Sequence, residues 1–282
     1  MIRPMKLLAV DVGNTNLTIG LFDAERLVGS WRTETQTTAT ADAMASTLAG
    51  LLALDGERLD TVDASAVACV VPQLLPALER ALRRRTGSGP LVVEAATLEG
   101  ILEIRIDRPA EAGADRLANA LAVREEFGGP AIVVDLGTST NFDVLSADGA
   151  YLGGAIAPGL GVSLAALVAS ASKLPPIELR RPPHAIGANT VHAMQSGTIN
   201  GYIGLLSGLL AAIRGELAEQ SPRAARIRVV ATGGYAQHPW LGDVPGIDAV
   251  EPDLTLRGIR YAAERVAARN SARAETAARM VQ

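Results

Sequence analysis

Leu7 to Phe22 reads LLAVDVGNTNLTIGLF. An apolar run, Leu7 to Val10, delivers Asp11 to its end, and a polar turn of Gly13, Asn14, Thr15 and Asn16 follows. Alternation then resumes through Leu17, Ile19 and Leu21, the pattern of a strand, a tight turn and a second strand. Gly13 is free to take positive φ and brings no side chain, so a ligand can approach its backbone. The turn's N–H groups, with Asn14, Thr15, Asn16 and Thr18, form a candidate cradle for phosphate oxygens. Asp11, carried on a buried strand, is placed to hold a divalent cation or its waters. A solvated hairpin turn explains this segment alone equally well.

The chain repeats the pattern. Ala131 to Leu145 reads AIVVDLGTSTNFDVL, again an apolar run ending in Asp135, then Gly137, Thr138, Ser139 and Thr140. The two aspartates are 135 − 11 = 124 positions apart, enough for each to head its own domain. A third segment, Ile227 to Ala236 (IRVVATGGYA), ends a buried strand in Thr232, Gly233 and Gly234, where an adenosine ring could lie against bare backbone. Three such units in this order resemble the phosphate clamp of the actin, hexokinase and Hsp70 architecture. The expected fold class is α/β, with two ribonuclease H-like domains whose mixed sheets are flanked by helices. The expected division is 1–112 and 113–282, with the terminal helix able to pack back on the first domain.

The composition bounds the function. At 282 residues, 48% hydrophobic and 20% charged, the chain can bury two cores. A net charge of −4 gives no electrostatic case for nucleic acid or an anionic membrane. The only lysines are Lys6 and Lys173, neither after a glycine, so a P-loop is excluded. Cys69 is the sole cysteine, which excludes an internal disulfide and suits a reducing cytosol. No signal-peptide core is expected, nor an uncharged run of the ~18–20 residues needed to span a bilayer, and a cytoplasmic location follows.

Between the two aspartate hairpins, a third strand is expected at Leu27–Thr33 and a helix at Thr40–Ala53. A short strand at Ala64–Val71 and a helix at Pro76–Arg85 follow. The latter's Arg83, Arg84 and Arg85 read as a solvated helix end complementing the dipole. A helix is expected to open near Asp115, where an acidic first-turn residue with Arg116 as ion-pair partner suffices as an explanation. Past Asp135, an edge strand at Tyr151–Ala157 precedes a helix at Ser163–Ser170. Asn189 or Thr190 caps a long apolar helix, Val191–Leu217, whose Gly197, Gly201, Gly204 and Gly208 suit a dimer seam or a core crossing equally. His184, His192 and His238 have no metal-ligand partners in sequence. Leu254–Arg269 is amphipathic, and residues 270–282 are expected to fray.

With these segments placed, the chain resembles the type III pantothenate kinases, also called the Bvg accessory factor family, over nearly its full length. The matching stretches are DVGNTN (Asp11–Asn16), GADR (Gly113–Arg116), VDLGTST (Val134–Thr140), GGAIAPG (Gly153–Gly159), GANT (Gly187–Thr190), MQSG (Met194–Gly197), ATGG (Ala231–Gly234) and PDLTLRG (Pro252–Gly258). The resemblance implies ATP-dependent phosphorylation of pantothenate to 4′-phosphopantothenate, the first step of coenzyme A synthesis. It also implies a homodimer and a need for Mg²⁺ and a monovalent cation, K⁺ or NH₄⁺. Carried over by position, Asp11, Val12, Gly13, Asn14, Thr15, Asn16, Leu17 and Thr18 resemble the first ATP phosphate loop, and Thr138 an ATP contact in the second. Asp135 resembles the monovalent-cation ligand. Gly113, Ala114, Asp115 and Arg116 resemble the pantothenate-binding segment with Asp115 as proton acceptor, and Thr190 a further substrate contact.

Two positions depart from the family pattern. Ile106 stands where the family usually has an aromatic residue at the substrate pocket, and Asn141 where it commonly has Thr. The alternatives are a kinase for another small alcohol or acid on the same fold, or a degenerate non-catalytic relative with a regulatory role.

Overall fold

The computed structural model describes residues 5–220 and 226–280. Its α/β chain holds two mixed five-stranded sheets flanked by helices, and it divides into two compact units. The first comprises 1–125 and 254–282, the second 126–253. The division expected at 112/113 falls ahead of the helix that opens at Ala114. The helix that opens at Ala114 buries Leu117, Ala118, Leu121 and Ala122 and stays with the first unit, which a boundary set at the motif ahead of it could not anticipate.

In the first unit, β1 (Lys6–Val12), β2 (Asn16–Asp23), β3 (Arg26–Glu34), β4 (Ala64–Cys69) and β5 (Leu91–Val92) lie in the order β3-β2-β1-β4-β5. β1 is antiparallel to β2 and parallel to β4. Period-two alternation sends Leu8, Val10 and Val12 to a core shared with α1 (Ala41–Ala53) and α2 (Leu75–Thr86). Thr40 caps α1 by accepting from Ala43 N at 3.3 Å, and α2 ends on Gly87 at φ 80° with Arg83–Arg85 exposed. Leu7, Ala9 and Asp11 face the other way, the side of β1 on which α6 (Leu254–Met280) packs.

That helix returns to the first unit and is anchored there. Thr255 Oγ1 donates to Asn119 Oδ1 at 2.8 Å on α3 (Ala114–Phe127), and Gly258 has no room for a Cβ against the Ala118 carbonyl. Arg260, buried, lies over the rings of Phe22 and Tyr261 and bonds Glu264 at 2.6 Å. Over the described part of the stretch expected to fray, the helix runs on to Met280; Ala and Arg are strong helix formers even when solvated. The last two residues of that expectation, 281 and 282, lie outside the described ones.

In the second unit, β6 (Ala131–Leu136), β7 (Ser139–Leu145), β8 (Tyr151–Pro158), β9 (Arg228–Thr232) and β10 (Ala249–Val250) take the order β10-β9-β6-β7-β8. This is the order of the first sheet with each strand replaced by its successor five places on. Ile132, Val134 and Leu136 face a core built with Leu160 of α4 (Leu160–Ser170) and with Ile199, Tyr202, Leu206 and Leu210 of α5 (Thr190–Gln220). Asn189 settles the cap of α5: its Oδ1 accepts from His192 N at 2.9 Å.

The expectation that no uncharged run reaches membrane length fails at α5. No Asp, Glu, Lys or Arg occurs from Pro182 to Ile213. The helix is long and apolar enough to cross a bilayer, with mean hydropathy 1.3 and 28% of that stretch buried. Its inner face is part of a sheet-backed core.

Candidate functional site

The first turn is tighter than its sequence suggests. Gly13 N donates to Asn16 O at 2.9 Å, so this N–H closes the hairpin and is not available to a ligand. Gly13 is not among the residues with positive φ; its need is steric, because a Cβ would stand 3.0 Å from the Asn16 carbonyl. β3 and its end brace the turn from outside, with Thr35 Oγ1 donating to Gly13 O at 2.7 Å and Thr35 N to Thr15 O at 2.9 Å. Asn14 and Thr15 are exposed, while Val12 and Leu17 are buried core residues able to offer a ligand only backbone. Asp11 pairs across the sheet with Thr18 on one side and Ala68 on the other. Asp11, Asn16 and Thr18 present oxygen donors only, a set that fits a hard divalent cation such as Mg²⁺.

The same unit carries the Gly113–Arg116 turn. Asp115 stands in the first turn of α3, and its Oδ1 accepts from Arg116 N at 2.8 Å. The carboxylate folds back over Gly113, where a Cβ would lie 2.6 Å from Oδ1; glycine there is what lets the carboxylate occupy this position. Burial pushes the Asp115 pKa up, against the lowering effects of the Arg116 N–H and the Arg116 charge. A carboxylate made more basic than usual and fixed in direction is suited to accept a proton. Ile106 is half-buried in a bend upstream, before the short turn Pro109–Glu111.

In the second unit, Asp135 has a different setting. Its register partners are Asn141 on β7 and Thr232 on β9, so all three side chains share one face. The carboxylate lies between two glycines: Gly137, whose Cβ would be 3.7 Å from Oδ1, and Gly233, at φ 91°, whose Cβ would overlap Oδ1 and the Leu136 backbone. Gly233 therefore makes room for Asp135. The Thr232 hydroxyl is buried and has no hydrogen-bond partner among the described residues. An ionised carboxylate beside such a hydroxyl fits a monovalent cation, which takes oxygen ligands and would satisfy both. Sequence reading singled out Thr232 only as part of a turn; its role beside Asp135 depends on β9 pairing with β6.

Thr138 lies in the loop between β6 and β7. Its carbonyl accepts from Gly159 N at 3.1 Å, which ties the loop to the start of α4. Thr190 is exposed at the N-terminus of α5 and lines a groove of about 760 Å³ between α4 and α5, with Leu164, Leu167, Gly197 and Gly201. Among the described residues no group of three or more His, Cys, Asp or Glu is arranged to hold a metal.

Residues 7–212 match a family model described as type III pantothenate kinase. The chain belongs to the type III pantothenate kinase family. A type III pantothenate kinase of Roseiflexus sp. is 46% identical over 254 residues, spanning 90% of this chain and 96% of the relative. One from Streptomyces avermitilis is 44% identical over 263 residues, with 92% and 98% covered. Among solved structures, a Campylobacter jejuni protein described as a Baf family transcriptional activator aligns with TM-score 0.56 at 16% identity, covering 92% of this chain and 98% of that one. At that identity the likeness speaks for the fold alone.

Proposed function

We propose that the protein transfers the γ-phosphoryl group of ATP to the primary hydroxyl of pantothenate, giving 4′-phosphopantothenate and ADP, the opening step of coenzyme A synthesis. The observation that carries this reading is Asp115: a desolvated carboxylate of raised pKa, seated by Gly113 at a helix start, in a chain of this kinase family. Asp115 aims the substrate hydroxyl and accepts its proton, which can leave late because phosphoryl transfer needs little nucleophile activation. Arg116 offers a fork for a polar or anionic substrate group, and Ile106 and Thr190 supply further substrate contacts. The turn from Asp11 to Thr18 and the loop at Thr138 each face phosphate oxygens. Asp11 would hold Mg²⁺ and Asp135, with Thr232, K⁺ or NH₄⁺; such cations supply the charge neutralisation that a P-loop lysine supplies elsewhere. With a lone, free thiol at Cys69, the chain suits a reducing cytoplasm.

The reading includes a homodimer. Gly197, Gly201, Gly204 and Gly208 of α5 have open space where a Cβ would stand, which favours a seam over a core crossing. Val162, Leu167, Ile186 and Val191 are exposed on the same unit, so α4 and α5 present an apolar surface that a second copy would bury.

The test is ADP release with pantothenate in K⁺ buffer, for wild type and Asp115→Asn, beside ATP affinity by calorimetry. Removal of a general base costs about 10²–10⁴ in rate, so kcat is expected to fall within that range while ATP still binds. A wild type that releases ADP equally without pantothenate would overturn the reading, as would an Asp115→Asn protein of near-normal kcat.

A further inference from the structure

Tyr202 is the one polar aromatic in the aliphatic inner face of α5. It packs edge-on against Trp240 at 5.4 Å between ring centroids, a contact that phenylalanine would make as well. What phenylalanine lacks is the hydroxyl, and that hydroxyl lies 2.6 Å from Thr140 Oγ1. Thr140 is 0% exposed on β7 and its side chain points into a wall of Val134, Leu136, Phe142 and Val144, where valine would pack without burying a polar atom. Thr140 Oγ1 also donates to the Pro158 carbonyl at 3.2 Å. A carbonyl only accepts, so both bonds form together only if Tyr202 donates: Tyr202 to Thr140 to Pro158. Burial pushes the Tyr202 pKa up to about 12, which keeps that donor proton in place at neutral pH.

The relay ends where the second phosphate loop is held. Pro158 pairs with Ser139 at the last rung of β7 and β8. The next residue, Gly159, donates its N–H to Thr138 O, and a Cβ there would overlap the Gly137 and Thr138 carbonyls. Pro158 and Gly159 thus clamp Gly137–Ser139 from one side, and the Pro158 carbonyl is the anchor of the clamp that a side chain reaches.

We propose that Tyr202 is a positioning residue for the phosphate loop of the second sheet: through Thr140 and Pro158 its hydroxyl holds Gly137–Ser139 in the shape that presents Thr138 to ATP. The inference rests on the proposed role of Thr138 as an ATP contact. A buried hydrogen bond contributes on the order of 1 kcal/mol, so Tyr202→Phe is expected to raise the KM for ATP about 2- to 10-fold. The KM for pantothenate should stay within error, since Tyr202 acts on the ATP loop alone. Thr140→Val, which removes both bonds, should give a selective rise at least as large, Thr140→Ser should retain wild-type values, and the double variant Tyr202→Phe/Thr140→Val should be no worse than Thr140→Val alone, because both substitutions act on one relay. Loss of the bond lowers Tm slightly on either reading, but a purely structural role would move both KM values together, or neither, and would make the two substitutions additive; any of these last results overturns the proposal. If Tyr202→Phe does not fold, the Thr140→Val and Thr140→Ser pair decides by the same criterion. Thr138→Ala separates the two levels: an unchanged KM for ATP there sinks the role of Thr138, whereas a raised one with an unmoved Tyr202→Phe sinks the relay alone.

Discussion

The two sheets share a strand order and each carries an aspartate near the end of its first strand, yet the surroundings of Asp11 and Asp135 differ at one position that matters. Asp11 has Ala68 as its parallel-strand neighbour, and Asp135 has Thr232. An alanine offers a cation nothing, whereas the buried Thr232 hydroxyl has no partner among the described residues. The turns differ as well. The first has four residues between its last paired positions, Val12 and Leu17, and is braced by Thr35; the second has three, between Leu136 and Thr140, and is braced by Gly159 and the Tyr202 relay. Duplicated architecture thus places two carboxylates alike, and one register partner makes their surroundings different.

The largest expected effect tests that difference directly. Asp11→Asn and Asp135→Asn should each cost about 10²–10³ in kcat, the order seen when one preorganised electrostatic contact is lost. Only Asp135→Asn should abolish the preference for K⁺ over Na⁺. Steady-state rates in the two salts decide it, and a wild type equally fast in both would break the distinction between the halves.

Thr232→Ala makes the second sheet copy the first. Loss of one oxygen ligand should weaken the K⁺ activation constant about 2- to 10-fold, the worth of a single polar contact, with kcat recovered at high K⁺. Ala68→Thr in the first sheet should leave the K⁺ response alone. Equal behaviour of the two variants in a K⁺ titration would remove Thr232 from the site.

Among the proposed substrate contacts of the first unit, Ile106 is the odd residue. If the family's missing aromatic ring serves ground-state binding, Ile106→Tyr should lower the KM for pantothenate severalfold while barely moving kcat. An unchanged KM would assign that wall to another side chain.

The smallest effect concerns stability. Desolvation raises the folded pKa of Asp115 above its unfolded value, so the folded state holds the proton more tightly. The stability this gives is complete below about pH 4, the unfolded value, and is lost as pH rises through the folded pKa. Asp115→Asn removes the ionisation and keeps an oxygen for the Arg116 N–H. Its Tm should therefore exceed that of wild type slightly at neutral pH, with the difference vanishing in acid. A lower Tm at neutral pH, by calorimetry, would mean that the charge stabilises the helix start more than burial penalises it.

Much of this was legible in the order of residues. Strand–Asp–turn–strand repeats announce themselves by period-two alternation and by polar turns, because those signals are local. The helix starts near Asp115 and at Thr40 are local too, and the α/β class followed from the architecture that the repeated units resemble. The chemistry of the turn glycines was not legible: Gly13 and Gly233 looked alike as openings for a ligand, but one avoids its own turn's carbonyl and the other avoids a carboxylate 98 residues earlier, 233 − 135. The true extent of α6 and the boundary after Glu125 depend on burial partners far along the chain.

What the sequence by itself determined is the inventory: two carboxylates at strand ends, a third at a helix start, hydroxyl-rich turns, and no P-loop lysine to do their work. Only the tertiary structure decided which oxygen stands beside which carboxylate, because strand pairing brings Thr232 to Asp135 across 97 residues, 232 − 135, and helix packing brings Tyr202 to Thr140 across 62. Those neighbours are chosen by sheet register and core packing, free energies that the whole unit supplies and no short stretch encodes.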